Sequence, residues 1–306
     1  MDKIKRILKK NKSLVSTVRY LREKKYEIAT LVSPRLNTAM WYKATFHHKW
    51  DINNPKTIND KILWLKFNTY WKNPLVIQCA DKYKVRSYVE DVGCKELLTN
   101  LIAVYEDVED IEWEKLPDKF ALKLNVGCGF NIIVTDKNCL NIEDAKNKIR
   151  KWMKSKYYLL HSEMQYKGVK PYILIEEYLQ PKHGILPEDY KFYCINGRAE
   201  YVMVCIGRDN GGHPRFYFYD REWNFVPFEE SDDPGILKPA LIEKAFNYAD
   251  KLAEPFPFVR TDLYLFDDRI VFGELTFTSA GGFDNDLTQD AQEIMGKMIN
   301  VNYHPY

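Results

Sequence analysis

Paired cysteines are missing from this 306-residue sequence, although six cysteines are present. They lie at positions 79, 94, 128, 139, 194 and 205. None belongs to a Cys-x-x-Cys pair and their spacing matches no zinc finger, so neither a disulfide scaffold nor a structural zinc site is expected. The pattern is typical of reduced thiols in a cytosolic protein.

Long apolar runs are also missing. No stretch of about 18 uncharged apolar residues is available to cross a bilayer, and the N-terminus is charged throughout, without the apolar segment of a signal peptide. No internal repeat or low-complexity segment occurs. With 45% hydrophobic and 14% aromatic residues, the chain has enough apolar surface for one large core. These features predict a cytoplasmic, globular protein.

Acidic residues are scarce at one end of the chain. Residues 1–50 contain thirteen Lys or Arg against three Asp or Glu, whereas the net charge of the whole chain is +2. Apolar residues recur there at helical spacing: Ile4, Ile7, Leu8, Leu14, Val15, Val18 and Leu21. A basic amphipathic helix over residues 1–25 predicts peripheral contact with the anionic inner face of a membrane. The alternative is that the apolar stripe packs on the protein body. Nucleic acid is not expected, because aromatic residues are not interleaved with the basic ones.

Residues 259–277 predict two strands joined by a short acidic turn. Side chains alternate between the two faces of a strand. On the first strand one face holds Arg260, Asp262 and Tyr264. On the second strand one face is expected to hold Phe272, Glu274 and Thr276.

The turn fixes which of these side chains face each other. A three-residue turn over 267–269 pairs Phe266 with Ile270 and places Asp262 opposite Glu274, with Cβ atoms about 5 Å apart. Two carboxylates at that distance repel unless a cation lies between them, and an all-oxygen site suits Mg²⁺. The alternative is a solvated hairpin whose acidic residues bind nothing.

Residues 119–133 predict a strand, a glycine-containing loop and a second strand. Lys123 lies inside the first, otherwise apolar strand, where an unpaired ammonium group is costly and a bound anion is expected. Gly127 and Gly129 have no side chains, so their backbone amides can approach phosphate oxygens. A helix is expected from about residue 142, capped by Asn141.

Two further segments combine strands with charged residues. The strand over 172–179 ends in Glu176 and Glu177. The next strand, over 188–197, runs into an Asn-Gly hairpin turn and carries Asp189 and Lys191 on one face. The functional interpretation places Asp189 near a ribose hydroxyl and Lys191 near a phosphate. The alternative is an ordinary surface ion pair, which contributes little.

In this order the segments resemble the ATP-grasp superfamily. The resemblance is closest to its TupA-like branch, found among bacterial teichuronopeptide and surface polysaccharide biosynthesis proteins. It is carried by residues 80–86, 120–123 with the glycine loop, 175–179, 189–197, 259–264 and 273–277, and it spans about residues 55–298. It implies an α+β ATP-grasp fold, with a lid subdomain, a larger antiparallel-rich sheet and a helical N-terminal extension.

The implied organisation has two parts. Residues 1–55 form a basic helical N-terminal arm, and residues 56–300 form the ATP-grasp domain. Within that domain the lid covers about 91–170 and the large sheet subdomain about 171–300. Most ATP-grasp enzymes carry a full α/β domain before the lysine at the position of Lys82, whereas here only about eighty helical residues precede it. Acceptor binding must then come from elsewhere in the chain or from a partner.

The resemblance also implies roles for individual residues. ATP would be bound by Lys82, Arg86, Lys123, Gly127, Gly129, Glu176, Glu177, Leu179 and Asp189. Within this set, backbone groups of Glu177 and Leu179 would hold adenine at a hinge. Mg²⁺ would be bound by Asp262, Glu274 and Thr276, the threonine replacing the asparagine of the usual Glu-x-Asn motif and acting as ligand or hydrogen-bonding group. The acyl phosphate and the acceptor carboxylate would be held by Lys191, Arg208 and Arg260.

The implied function is an ATP- and Mg²⁺-dependent carboxylate–amine ligase that acts through an acyl phosphate. Its partners would be ATP, a carboxylate-bearing glycan or nucleotide sugar of a bacterial surface polysaccharide, and an amine or amino acid. One alternative is a glycosyltransferase of the same pathway, but the Asp-x-Asp motif that such enzymes use occurs only at Asp284-Asn285-Asp286, in a polar segment. The other is a non-catalytic ATP-binding scaffold. For a ligase, replacing Asp262 or Glu274 by its amide should abolish turnover and leave the fold largely intact.

Overall fold

The computed structural model describes residues 12–182, 184–207 and 214–304. Helices surround two antiparallel sheets. The helices are α1 (Lys12–Val32), α2 (Pro34–Phe46), α3 (Ile58–Asn68), α4 (Pro74–Ala80), α5 (Val85–Asp91), α6 (Ile142–Met153), α7 (Tyr158–His161), α8 (Ile242–Ala253) and α9 (Gln289–Met298). The strands are β1 (Leu101–Tyr105), β2 (Phe120–Leu124), β3 (Asn131–Val134), β4 (Ile173–Glu177), β5 (Asp189–Ile195), β6 (Arg198–Ile206), β7 (Arg215–Asp220), β8 (Phe225–Val226), β9 (Phe258–Leu265) and β10 (Ile270–Thr276).

Local capping sets where two of these helices begin. Thr57 and Asp60 form a reciprocal capping box at the start of α3, because each side chain bonds to the backbone N–H of the other residue. At the start of α6, the Asn141 side chain accepts a hydrogen bond from the N–H of Asp144 at 3.0 Å. The predicted cap of this helix is therefore confirmed.

The smaller sheet has four strands in the order β1-β4-β2-β3. On one face the apolar side chains of β2 and β4, among them Leu122 and Ile175, pack with Ile149 of α6. Lys123 and Glu176 occupy the other face of the same strands, as their register requires. β4 lies beyond the predicted lid boundary at about residue 170, yet it pairs with β1 and β2. Assigning this strand to the larger sheet is therefore wrong.

The larger sheet has six strands in the order β10-β9-β5-β6-β7-β8. One face forms the main core with α8, where Phe192 packs edge-on against Phe246 at 4.9 Å between ring centroids. The opposite face presents Lys191 on β5 directly beside Asp262 on β9. Charged side chains therefore line one face of β5 and β9, in the half of the sheet that ends in β10.

A β-bulge at Gly273 sets the register between β9 and β10. Near the turn, Ile270 lies opposite Leu265, and the N–H of Phe266 donates to the carbonyl of Arg269 at 2.9 Å. The expected pairing of Phe266 with Ile270 is therefore wrong. The bulge shifts the register by one residue between Phe272 and Glu274.

The bulge has two consequences for the predicted faces. Asp262 lies opposite Glu274, so the prediction that these two carboxylates face each other is confirmed. Phe272 lies opposite Leu263 and packs in the main core, so the prediction that Phe272 shares a face with Glu274 is wrong.

Gly273→Ala should disrupt this register. A Cβ at this position would lie 2.9 Å from the backbone oxygen of Asp262, where the strand has no room to move. We expect a loss of about 1–3 kcal/mol in the free energy of unfolding, measured by urea denaturation. Gly93→Ala is the control, because no atom lies within 4 Å of its added Cβ and backbone strain alone remains. Equal losses for the two variants would contradict the steric role of Gly273.

The N-terminal helices pack on the segment around α7. The Thr30 hydroxyl donates to the carbonyl of Leu159 at 2.6 Å, and the Trp41 indole donates to the carbonyl of Leu160 at 2.9 Å. Much of α1 nevertheless faces outward. Its exposed large apolar side chains are Val15, Val18, Tyr20, Leu21, Ile28, Leu31 and Val32.

This exposure bears on the predicted apolar stripe of residues 1–25. Its members Ile4, Ile7 and Leu8 lie outside the described residues. Its members Val15, Val18 and Leu21 are exposed, and Val15 and Val18 border a groove with Trp41. Across the described ranges, no helix is both long enough and apolar enough to cross a bilayer.

His161 should make this packing sensitive to acid. Burial and, to a smaller extent, the charges of Lys66 and Arg22 lower the pKa of His161 to about 4. The pKa of His161 in the folded protein lies below the ordinary value of 6.5. The contribution of neutral His161 to the free energy of unfolding is therefore fully present above pH 6.5 and is lost as the pH falls from 6.5 towards 4. His161→Phe keeps an aromatic ring against Trp41, so its melting temperature should fall less over this range. Equal pH slopes for the variant and the wild type, measured by circular dichroism, would contradict this assignment.

Candidate active site

Asp262 is the centre of a buried group of charges on β5 and β9. Its side chain is 4% exposed and accepts two hydrogen bonds from Arg260, at 2.7 and 2.8 Å, and one from Lys191 at 2.7 Å. Lys191 also bonds to Asp189. Burial lowers the pKa of Lys191, but the charges of Asp262 and Asp189 more than offset this, and the pKa is raised above its ordinary value.

Glu274 lies opposite Asp262 and is also surrounded by donors. Lys82 approaches its Oε2 at 3.1 Å, and the Thr276 hydroxyl donates to Oε1 at 3.1 Å. Burial raises the pKa of Glu274, but Lys82, Arg260 and Lys191 lower it to about 2. Glu274 is therefore ionised at neutral pH. Of the two roles considered for Thr276, the observed contact is that of a hydrogen-bond donor to Glu274.

The smaller sheet contributes a second set of charges. Lys123 donates to Glu176 at 2.8 Å, and Arg86 lies 3.8 Å from the same carboxylate. Burial raises the pKa of Glu176, whereas Lys123 and Arg86 lower it, and the net shift is downward. A small cavity between the two sheets is lined by Lys82, Arg86, Leu98, Thr99, Lys123, Glu176, Phe272 and Gly273. The cationic residues predicted to bind phosphate therefore meet at this cavity.

The glycine loop lies next to these charges. The φ angles of Gly127 and Gly129 are +79° and +75°, values that favour glycine because other residues are strained there. The carbonyl of Gly127 accepts a hydrogen bond from Lys82 at 2.6 Å. Because Lys82 also bonds to Glu274, one ammonium group joins the loop to β10.

At the predicted hinge, the backbone N–H of Glu177 already has a partner within the protein. The backbone N–H of Glu177 donates to the carbonyl of Asn100 at 3.0 Å, and the Glu177 carboxylate accepts from the N–H of Asn100 at 3.1 Å. The N–H of Glu177 is therefore not available to adenine, and a backbone contact from Glu177 to adenine would be made by its carbonyl. Leu179 is buried beside it. The predicted catalytic residue Arg208 lies outside the described residues.

Two buried charged residues near this site do not stand out in the sequence. Glu163 is 5% exposed and accepts a hydrogen bond from Thr278 at 2.6 Å, and burial raises its pKa above the ordinary value. Lys66 is fully buried and donates to the carbonyls of His161 and Gly281. The position of Lys66 between Leu65 and Phe67 indicates in the sequence that it is buried. No local pattern indicates its hydrogen-bond partners.

The oxygen donors of the site fit Mg²⁺. Mg²⁺ is usually held by one or two carboxylates together with water and substrate phosphates. Asp262 and Glu274 supply two opposed carboxylates. Their present donors are cations, which phosphate groups would also attract. These two residues would therefore hold the ion.

Comparisons with known proteins identify one matching family and several similar solved structures. The family model described as TupA-like ATPgrasp matches residues 60–300. No curated protein sequence matches the chain significantly. D-alanine–D-alanine ligase from Bacillus anthracis complexed with ATP is similar in structure, with a TM-score of 0.42 and 13% identity over 72% of this chain and 65% of that one.

Two further solved structures are similar at the same level. L-amino acid ligase from Bacillus licheniformis has a TM-score of 0.44 and 15% identity, covering 68% of this chain and 45% of that one. The ADP complex of N5-carboxyaminoimidazole ribonucleotide synthetase has a TM-score of 0.44 and 12% identity, covering 70% of this chain and 49% of that one. The match thus spans less than two thirds of the length of each of these solved chains.

Proposed function

The chain belongs to the TupA-like ATP-grasp family, and from this premise we propose that it is an ATP- and Mg²⁺-dependent ligase that joins a carboxylate to an amine. The observation that carries the proposal is the meeting of two opposed carboxylates, Asp262 and Glu274, with the cations around the cavity between the sheets. A nucleoside triphosphate and its metal ion need this combination of anionic and cationic groups.

The proposed reaction has two steps. A carboxylate oxygen of the acceptor attacks the γ-phosphorus of ATP, the bond to the β-phosphate oxygen breaks, and ADP leaves. The amine nitrogen then attacks the acyl carbon, inorganic phosphate leaves, and the nitrogen loses a proton. When bound, Mg²⁺ would neutralise charge on the transferring phosphoryl group. The residues proposed to hold the ion are Asp262 and Glu274.

The protein's own cations would do the remaining electrostatic work. Lys82, Arg86 and Lys123 border the cavity and would bind the phosphates of ATP. Lys191 and Arg260 flank Asp262 and would orient the acyl phosphate and the acceptor carboxylate, for which the planar fork of arginine is well suited. Arg208 and Asp189 keep their predicted roles as proposals, and Leu179 would contact adenine at the hinge.

We propose a uronic acid or peptide of a bacterial surface polysaccharide as the acceptor, because the resemblance is to the TupA-like branch. The glycosyltransferase alternative is less favoured, because its Asp-x-Asp motif would have to be Asp284-Asn285-Asp286, which lies in a turn. Asp284 accepts a hydrogen bond from the N–H of Asp286 at 3.1 Å, and the N–H of Asp284 donates to Asn59. These contacts stabilise a turn rather than leaving two aspartates at the end of an apolar strand.

Product analysis tests the proposal. The protein is incubated with ATP, Mg²⁺, candidate uronates and candidate amines, and ADP, phosphate and UDP are measured. Formation of ADP and phosphate that depends on both acceptor and amine supports the ligase. UDP release from a nucleotide sugar without ADP would favour the glycosyltransferase. Tight ATP binding without turnover would favour the scaffold.

Lys123→Met should weaken ATP binding most among the lid residues. The change removes a cation that borders the cavity and leaves the buried Glu176 with Arg86 as its nearest cation. We expect affinity for ATP to fall by about tenfold or more, from the loss of one charge-assisted hydrogen bond. Lys119→Met, directly before β2, is the control, because Lys119 is exposed and bonds to Gln180. Unchanged affinity in calorimetric titration would contradict the role of Lys123.

We propose in addition that the protein works in the cytoplasm at the inner face of the membrane, with the N-terminal arm as its contact. The exposed side chains Val18, Leu21, Ile28 and Val32 lie at spacings of three, seven and four residues along α1, on one face of the helix. The strong excess of basic residues over residues 1–50 complements an anionic bilayer. The same positive charge would make two copies of the arm repel each other.

Liposome co-sedimentation tests this attachment. Leu21→Glu with Ile28→Glu should abolish binding to vesicles of phosphatidylglycerol and phosphatidylethanolamine, and so should removal of residues 1–25. Leu237→Glu changes an exposed leucine elsewhere and should bind as the wild type does. Undiminished binding after removal of residues 1–25 would contradict the proposal.

A further inference from the structure

A set of buried polar side chains lies where three segments of the chain meet. These residues are at most 5% exposed: Lys66 on α3, Glu163 and Gln165 after α7, and Thr278 after β10. Polar groups buried in this way destabilise a protein unless they are hydrogen-bonded, so the contacts they make are specific. Neither the predicted catalytic residues nor the predicted metal ligands include any of them.

On one side this set holds the loop that follows β10. The Thr278 hydroxyl donates to Glu163 at 2.6 Å and accepts from the Gln165 amide at 3.1 Å. Lys66 donates to the carbonyl of Gly281 at 3.2 Å. Between these two points Ala280 has a φ of 48°, a left-handed conformation that a non-glycine residue adopts only when its surroundings impose it. The loop begins just after Glu274 and Thr276, so its position is tied to theirs.

On the other side the set reaches the glycine loop. The N–H of Glu163 donates to the carbonyl of Tyr158 at 3.0 Å, and the neighbouring Tyr157 side chain is close enough to Glu163 to lower the pKa of its carboxyl group. The ring of Tyr157 lies against Gly127 so closely that a Cβ there would be 2.7 Å from its Cδ2 atom. Lys82 independently joins the same two elements, because it bonds to the carbonyl of Gly127 and to Glu274. The glycine loop and the end of β10 are therefore connected twice, once through Lys82 and once through Glu163.

We infer that Glu163 is a positioning residue that sets the glycine loop against the end of β10 through Tyr157 and Thr278. The inference rests on the proposed function, since it gives the geometry of the phosphate site as the purpose of the connection. A carboxylate suits this place because both of its oxygens are acceptors, so one can bond to the Thr278 hydroxyl while the other faces the Tyr157 hydroxyl. Glutamine cannot do so equally, since one of its two terminal atoms is a donor.

Calorimetric binding of AMP-PNP in the presence of Mg²⁺ tests the inference. Glu163→Gln and Thr278→Val should each weaken binding about tenfold, and the double variant should be no weaker than either one, because both remove the same contact. Thr278→Ser restores the hydroxyl and should restore affinity. In turnover, Glu163→Gln should raise the KM for ATP and leave the KM for the amine unchanged.

A matched control separates positioning from general stability. Thr30 is buried, and its hydroxyl bonds to the carbonyl of Leu159 and to the Ser162 hydroxyl rather than to the Glu163 carboxylate. Thr30→Val should lower the melting temperature and keep wild-type affinity. If Glu163→Gln lowers the melting temperature and also keeps wild-type affinity, Glu163 is structural and the inference is wrong. If the wild type itself fails to bind AMP-PNP, the proposed function falls and the inference falls with it.

Discussion

Glu274→Gln is expected to lower ATP turnover by about a thousandfold or more, a loss of about 4 kcal/mol in transition-state stabilisation. The change removes one of two opposed carboxylates proposed to hold Mg²⁺, and it keeps the size and most of the hydrogen-bonding capacity of the side chain. Glu274 is 30% exposed, and Lys82 and the Thr276 hydroxyl each lie 3.1 Å from its carboxylate. The expected cost in stability is therefore smaller than that of Asp262→Asn, about 1–3 kcal/mol at neutral pH.

The pH dependence of stability gives an independent check on the same residue. The pKa of Glu274 is held at about 2, below its ordinary value of 4.5. Its contribution to stability is therefore fully present above pH 4.5 and is lost as the pH falls towards 2. Glu274→Gln should lack this component. Glu200→Gln is the control, because Glu200 pairs with Arg198 on the strand β6, away from the cavity. Wild-type turnover in Glu274→Gln would show that its assigned role is wrong.

Asp262→Asn is expected to abolish turnover as well, and in contrast to the sequence-based expectation it should also destabilise the fold. Asp262 is nearly fully buried and balances two cations, Arg260 and Lys191, each with a side chain 14% exposed. Removing its charge leaves both cations uncompensated in the interior, at a cost of about 3–5 kcal/mol. The sequence identifies the carboxylate but does not reveal that two buried cations depend on it.

A second substitution distinguishes the two effects of Asp262→Asn. Adding Lys191→Met removes one uncompensated cation, so the double variant should recover part of the lost stability in urea denaturation. Turnover should not recover, because the proposed metal ligand is still missing. An Asp262→Asn variant as stable as the wild type would contradict the buried charge group described here.

The sequence was sufficient for the family and for the pairing at the centre of the site. The resemblance placed the ATP-grasp region at about residues 55–298, and the family model matches residues 60–300, which confirms it. Strand alternation and an expected turn placed Asp262 opposite Glu274, and this is confirmed. The pairing predicted next to the turn was wrong, because Ile270 lies opposite Leu265 rather than Phe266. The bulge at Gly273 then shifts the register by one residue, so that Asp262 still faces Glu274. A bulge depends on the backbone of the partner strand, which local sequence does not specify.

Other features depend on contacts between distant segments. The apolar strand β4 pairs with β1 and β2. It would bury one face equally well in the smaller or the larger sheet, so its composition does not indicate which sheet it joins. Lys66 and Glu163 acquire their roles from Gly281 and Thr278, which lie more than a hundred residues away in the chain. The side chains of the hinge can be recognised from sequence, whereas the bond from Glu177 to Asn100 cannot. These are properties of the folded chain rather than of any segment.

A crystal structure of the protein with Mg²⁺ and AMP-PNP tests the central claim most directly. We predict the triphosphate in the cavity between the two sheets, with Lys82 and Lys123 contacting its phosphates and Mg²⁺ bound by Asp262 and Glu274. Nucleotide bound away from this cavity, or a metal ion that neither carboxylate contacts, would contradict the claim.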